Sequence, residues 1–419
     1  MTPAPYPDPT SSARAAELDA ADPLASYRDL FVWAETPLVY FDGNSLGRPL
    51  AASADRLAGF VRDDWGGRLI RGWDEAWFEA PLSVGDEIGR IALGAAPGQT
   101  FVGDSTTVLL YKLARAAVDA QTGRDPARRE IVIDDDSFPT DRYLVQGIAA
   151  ERGLDVRWIR VDQAGGVSED LLAEALSPRT SLVLLSHVAY RSAFLADGPR
   201  LTALAHEAGA LILWDLSHSV GSVLVDLDGW GADLAVGCTY KYLNGGPGSP
   251  AFGYVARRHH ADLTQPVQGW MGHDDPFLMG PQWRPAAGIR RFLSGTPPVL
   301  AMQPLGDMAA LVERAGMPAV RRKSLALTAY ALELADAWLA PLGVTVASPR
   351  DPALRGGHVT LLHPRMRALT ATLWAADVIP DYRDPDGLRI GLSPLSTSFE
   401  EVRRGFLAIR EQLSAPPSG

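Results

Sequence analysis

A single cysteine, Cys238, occurs in the whole sequence. An intrachain disulfide is therefore excluded, and too few thiols remain for a cysteine-built metal site. Lysine is almost as scarce. Lys112, Lys241 and Lys323 are the only ones, so arginine supplies nearly all the positive charge. Positive charge is itself in deficit: the formal net charge is −11, which argues against nucleic acid or an anionic membrane as the main partner. Long apolar runs are missing, since none approaches the ~20 residues of a membrane helix. Residues 1–20 have neither a basic start nor an apolar core, so no secretory signal is expected, and a cytoplasmic protein is the simplest reading. Against these absences stand 47% hydrophobic and 21% charged residues, the balance of a globular chain. Its 419 residues allow a large core and two domains.

The scarcity of lysine directs attention to residues 211–246. Leu211–Trp214 is a short apolar run that reads as a buried strand ending on Asp215, with His218 close behind. A second run, Leu234–Val236, leads into Cys238-Thr239-Tyr240-Lys241 and a glycine-rich turn. Lys323, beside Arg321 and Arg322, reads as a solvated helix start, and Lys112 falls inside a helical pattern. Lys241 alone follows a buried strand. A lysine amine can lose its proton when desolvated and form an imine, which arginine cannot. Two readings follow. Either Lys241 holds pyridoxal phosphate (PLP) as a Schiff base, with Asp215 on the pyridinium nitrogen, or the two residues form a buried ion pair.

The rest of the chain supports an α/β organisation. Strands at Glu130–Ile133, Val156–Val161, Ser181–Val188, Leu211–Trp214 and Phe252–Ala256 alternate with helical patterns, which predicts βαβ units and a mainly parallel sheet. The first ten residues are expected to be mobile. Asp104-Ser105-Thr106-Thr107 precedes a helical pattern, a composition that suits a plain cap and equally a phosphate. Trp65, Trp73 and Trp77 read as core or interface aromatics, or as walls for a flat substrate. Residues 265–296 are too long for a simple connection and are expected to be functional or packed on another subunit. We expect an N-terminal segment over 1–48, a large domain over 49–324 and a small α+β domain over 325–419.

Together several motifs carry a resemblance. FDGNSLG (Phe41–Gly47), FPTD (Phe138–Asp141), DLSHSVG (Asp215–Gly221), YKYLNGGPG (Tyr240–Gly248), GTPP (Gly295–Pro298) and RIGLSPL (Arg389–Leu395) occur in order across nearly the whole chain. The sequence resembles the kynureninases, PLP enzymes of the aspartate aminotransferase-like fold (fold type I). The resemblance implies Lys241 as Schiff-base lysine and Asp215 as pyridinium partner, with His218 beside it. It implies Phe138 stacked on the ring and Asp141 near it. Thr106, Thr107, Tyr240 and Trp270 would lie on the phosphate side. Arg389 would grip the substrate α-carboxylate, with Asn44, Trp73 and Thr296 in the substrate pocket. No metal is implied. The run His187-Val188-Ala189-Tyr190-Arg191-Ser192 departs from the family pattern, which leaves contacts from Ala189 and Ser192 without support.

The implied reaction is hydrolysis of L-kynurenine to anthranilate and L-alanine, with Lys241 moving the Cα proton and Tyr240 donating a proton later. Gly295-Thr296 resembles the version that prefers kynurenine over its 3-hydroxy form. A homodimer with its site at the subunit interface is implied, Trp270 and Thr296 reaching the neighbour's cofactor. The alternatives are a cysteine desulfurase or selenocysteine lyase, an aminotransferase or epimerase of secondary metabolism, and a non-catalytic PLP-binding protein.

Overall fold

The computed structural model describes residues 8–33 and 36–415, so the expectation of mobility in the first ten residues falls largely outside the described residues. Its centre is a seven-stranded sheet in the order Thr100–Gly103, Ala251–Val255, Leu234–Gly237, Leu211–Asp215, Thr180–Ser186, Glu130–Asp134, Asp155–Ile159. The last five strands of that order run parallel. Ala251–Val255 is antiparallel to both its neighbours.

Four of these strands read as unbroken apolar runs because helices cover both faces. Their side chains still alternate. Val132, Val183, Leu185, Ile212, Trp214 and Ala235 enter one core. Ile131, Ile133, Leu182, Leu184, Leu211, Leu213, Leu234 and Val236 enter the other. Period two thus sorts one sequence run into two cores, and each buried Leu, Ile or Val contributes about 1.5–3 kcal/mol. The Thr100–Gly103 strand was not expected. It is four residues long and follows the Pro97-Gly98 turn, which hides it in the sequence.

A second, four-stranded antiparallel sheet follows, in the order Asp381–Arg383, Gly387–Gly391, His358–Leu362, Thr345–Val346. Its core joins Val359, Leu361, Leu388, Ile390 and Phe406 to the N-terminal residues Ala15, Val39 and Phe41. Val39–Tyr40 also pairs in parallel with Val378–Ile379. The helical run Met317–Leu342 is long and apolar enough to cross a membrane by length and composition, contrary to the sequence reading. Leu327, Leu334 and Leu339 are nevertheless buried in this core, which is what a central helix of a globular unit requires.

The reading of Lys323 as a solvated helix start is overturned. Its side chain is buried and Nζ lies 2.6 Å from Asp22 Oδ2, itself buried. Lys112 is fully buried as well. Lys112 pairs with Asp104, eight residues upstream, and Lys323 with the distant Asp22; burial is tolerated because the charge is paired.

Candidate active site

The parallel strands deliver their C-terminal ends to one edge of the sheet, where open α/β sheets place their ligands. Leu211–Asp215 ends on Asp215, whose Oδ1 accepts from Ser217 N–H at 2.8 Å. The next strand, Leu234–Gly237, continues into the turn that carries Lys241. That turn is held from below: Thr239 Oγ1 donates to Pro250 O at 2.6 Å. Asn244 takes the left-handed conformation at φ 50°. From the other side, Gly47 N–H donates to Tyr240 O at 2.8 Å. A Cβ on Gly47 would stand 2.3 Å from Lys241 O, so only glycine allows the Phe41–Gly47 turn to approach so closely.

A cavity of about 180 Å³ opens here. Asn44, Thr106, Thr107, Phe138, Asp141, Asp215, His218, Tyr240, Lys241 and Arg389 all line it, so ten residues expected at the site are brought together. Ser45, Thr140, Ser217 and Arg383 line it too and were not singled out. Ser45 and Ser217 lie inside the motifs quoted above, whereas Arg383 sits in a polar run with no motif of its own.

Three expected residues are elsewhere in the chain's own fold. Trp73 was expected in the substrate pocket; its indole instead packs edge-on against Trp77, with ring centroids 5.7 Å apart, and borders the core. The helical turn from Trp73 to Trp77 favours that stack over a reach to the cavity. Trp270 packs against Phe78 and Phe277. Thr296 lines a separate cavity of about 340 Å³ with Phe101, Asp104 and Ser294. Of the run that departs from the family pattern, Ser192 Oγ donates to Gly165 O at 2.6 Å.

The electrostatics are uneven. Lys241 Nζ lies 3.3 Å from His218 Nε2. Burial, then the charge of Lys241, holds the His218 imidazole well below its usual range, so it is neutral. Burial, then the neighbouring Asp215, pushes the Asp141 carboxyl well above the usual carboxylate range. Arg389 is 1% exposed. Its Nε donates to Asp381 Oδ2 at 2.6 Å, Nη1 to Tyr190 O at 2.8 Å and Nη2 to Ser45 Oγ at 3.1 Å.

At the far wall the helix Thr106–Arg124 begins, capped by Ser105, which accepts from Val108 N–H at 3.4 Å. Its free N–H groups and dipole favour an anion. Thr106 Oγ1, Asp141 Oδ2 and both polar side-chain atoms of Asn44 are buried without a protein partner. Such atoms cost about 1–3 kcal/mol each when nothing pairs them. Four of them on residues lining one cavity describe a site built for a polar ligand.

Comparison with known proteins agrees with this geometry. A model of the kynureninase C-terminal domain matches residues 320–409, and the aminotransferase class-V model matches residues 111–354. A kynureninase of Pseudomonas fluorescens is 41% identical over 389 residues, 92% of this chain and 91% of that protein. A kynureninase of Burkholderia pseudomallei (strain 1106a) is 41% identical over 397 residues, 94% of each. Among solved structures, a C-DES mutant with glycine covalently linked to its PLP cofactor superposes with a TM-score of 0.80 at 18% identity, covering 92% of this chain and 99% of that one. The cysteine desulfurase of Thermococcus onnurineus gives a TM-score of 0.74 at 19% identity, covering 94% and 97%. These two share the fold, PLP fold type I, as expected. The identity to the bacterial relatives extends over nearly the full length of both chains, and the chain belongs to the kynureninase family.

Proposed function

We propose that the protein is a PLP-dependent hydrolase that cleaves L-kynurenine to anthranilate and L-alanine. One observation carries the reading: the Lys241 amine, the Asp215 carboxylate and a helix start with an unpartnered Thr106 hydroxyl share one cavity. Those groups match the aldehyde, ring nitrogen and phosphate of pyridoxal phosphate. Lys241 would be its covalent anchor, Asp215 the partner of its ring nitrogen, and Thr106 and Thr107 its phosphate contacts. Phe138, 38% exposed at the mouth, would stack on its face. When bound, the cofactor supplies an electron sink at the substrate Cα.

The protein's own residues do the rest. Lys241 Nζ moves the Cα proton. His218, held neutral, does not compete as a second cation beside it. Asp141 shares a buried region with Asp215, and burial together with that neighbouring carboxylate raises its affinity for a proton. The nearby Cys238 sulfur and burial raise the Tyr240 phenol. Tyr240 therefore stays protonated through neutral pH and can donate. Arg389 orients the substrate α-carboxylate.

A desulfurase needs an accessible thiol, and Cys238 is buried with its thiol pushed up by burial. The homodimer belongs to the same proposal: Trp270 and Thr296, outside their own chain's cavity, would complete the neighbour's site. So does a division into large and small domains near residue 325. The test is to load purified protein with PLP and assay anthranilate release from L-kynurenine, with Lys241→Ala as the inactive control. Conversion of the cofactor to its amine form by the amino acid, reversed by a keto acid and without anthranilate, would favour the aminotransferase reading.

A further inference from the structure

The guanidinium of Arg389 is largely engaged within the protein. Asp381, Ser45 and the Tyr190 carbonyl take most of its N–H groups. A second arginine faces the same carboxylate. Asp381 and Arg383 are two residues apart on one strand, so both side chains project from one face of the sheet. The register sets Asp381 directly opposite Arg389. Arg383 Nε lies 3.0 Å from Asp381 Oδ2, and Arg383 lines the cavity. Its side chain is 37% exposed, against 1% for Arg389.

Charge counting gives this arrangement a consequence. Asp42, half-buried beside Asp381, has its carboxyl pushed up to about 6 by desolvation, so it is mainly ionised at pH 7. With Asp42 and Asp381 both negative, Arg389 alone would leave the cluster with an excess negative charge. A substrate carboxylate would be repelled. Arg383 restores neutrality, and does so from the side open to the cavity, where its guanidinium has N–H groups to offer.

Resting on the amino-acid reading of this cavity, we propose that Arg383 is a specificity-determining residue: it binds the substrate α-carboxylate together with Arg389 and supplies the charge that Asp42 and Asp381 take from Arg389. The test compares two small amines on the PLP-loaded protein, L-alanine and ethylamine, which differ by the carboxylate. Dissociation constants are read from the absorbance of the bound cofactor. In R383Q, L-alanine should bind weaker by about tenfold or more, with ethylamine unchanged. In R383K, which keeps the charge but not the fork, L-alanine should weaken severalfold and ethylamine again not at all. R383K carries the comparison should R383Q fail to fold. Unchanged alanine binding in the variants, or equal losses for both amines, would overturn the proposal. A wild-type protein whose cofactor band responds to neither amine would overturn the amino-acid reading of the cavity first, and this assignment with it.

Discussion

Lys241 Nζ stands 3.3 Å from Nε2 and 3.4 Å from Nδ1 of His218. Near-equal distances mean that neither ring nitrogen alone engages the amine. His218 therefore limits where the amine can go without trapping it in one hydrogen bond. Replacement by Gln keeps a neutral polar group but loses the ring edge. His218→Gln should still bind PLP at Lys241, while kcat falls about 10²-fold through misplacement of the amine. Absorbance of the lysine-bound cofactor and steady-state kinetics read the two separately.

Lys112 ties the phosphate-side helix to the turn that carries Thr296. Its Nζ donates to Asp104 Oδ2 at 3.0 Å, to Ser294 Oγ at 2.7 Å and to the Phe292 carbonyl. Asp104 immediately precedes the Ser105 cap. Lys112→Met would leave Asp104 and two acceptors without their cation. Stability should fall by about 3 kcal/mol, and PLP should dissociate more readily because the helix start is no longer held. Lys323→Met, which breaks the distant pair with Asp22, should lower the Tm without changing PLP affinity.

The contrast between these lysines and Lys241 shows what the sequence could and could not convey. All three were visible as rare residues, and the strand before Lys241 was legible because a short apolar run leading into a glycine-rich turn has few other uses. The partners of Lys112 and Lys323 were not legible, since Ser294 is 182 residues from Lys112 and no local rule links Asp22 to Lys323. The alternating cores of the sheet were predictable from period two. The short Asp381–Arg383 strand was not, because a polar edge strand looks like a turn. Arg383 was missed with it. Trp73, expected in the substrate pocket from the resemblance alone, lies outside this chain's cavity, where Trp77 four residues on is its stacking partner.

Gly391 is predicted to be irreplaceable. A Cβ there would stand 1.9 Å from Asn44 Oδ1, and Gly391 N–H donates to Phe41 O at 2.6 Å. Gly391→Ala should cost about 1–3 kcal/mol of stability by overpacking. It should also push Asn44 out of the cavity wall, so kcat/KM should fall even at temperatures where the variant is fully folded. Thermal denaturation and kinetics on the same preparation check both parts.

Acid should destabilise the protein through its buried histidines. Burial lowers His187 and His358 to about 3 each. The unfolded chain takes up these protons near pH 6.5 and the folded one does not, so the stability they contribute is full above about 6.5 and is lost as the pH falls towards 3. Each contributes a slope of up to about 1.4 kcal/mol per pH unit in that window. Asp42 and Asp136, raised to about 6 by burial, act with the opposite sign, so the informative quantity is a difference. Denaturant unfolding of wild type and His187→Gln at pH 4.5 to 7 should show the shallower dependence in the variant. Parallel curves would contradict the assignment.

In the proposed reaction the Lys241 amine anchors PLP and moves a proton in cleaving kynurenine. A single assay of anthranilate release from L-kynurenine, with PLP-loaded wild type and Lys241→Ala side by side, tests it most directly. Steady release is expected from the wild type and none from the variant. Release from Lys241→Ala at the wild-type rate, or none from a wild type whose cofactor is bound at Lys241, would contradict it.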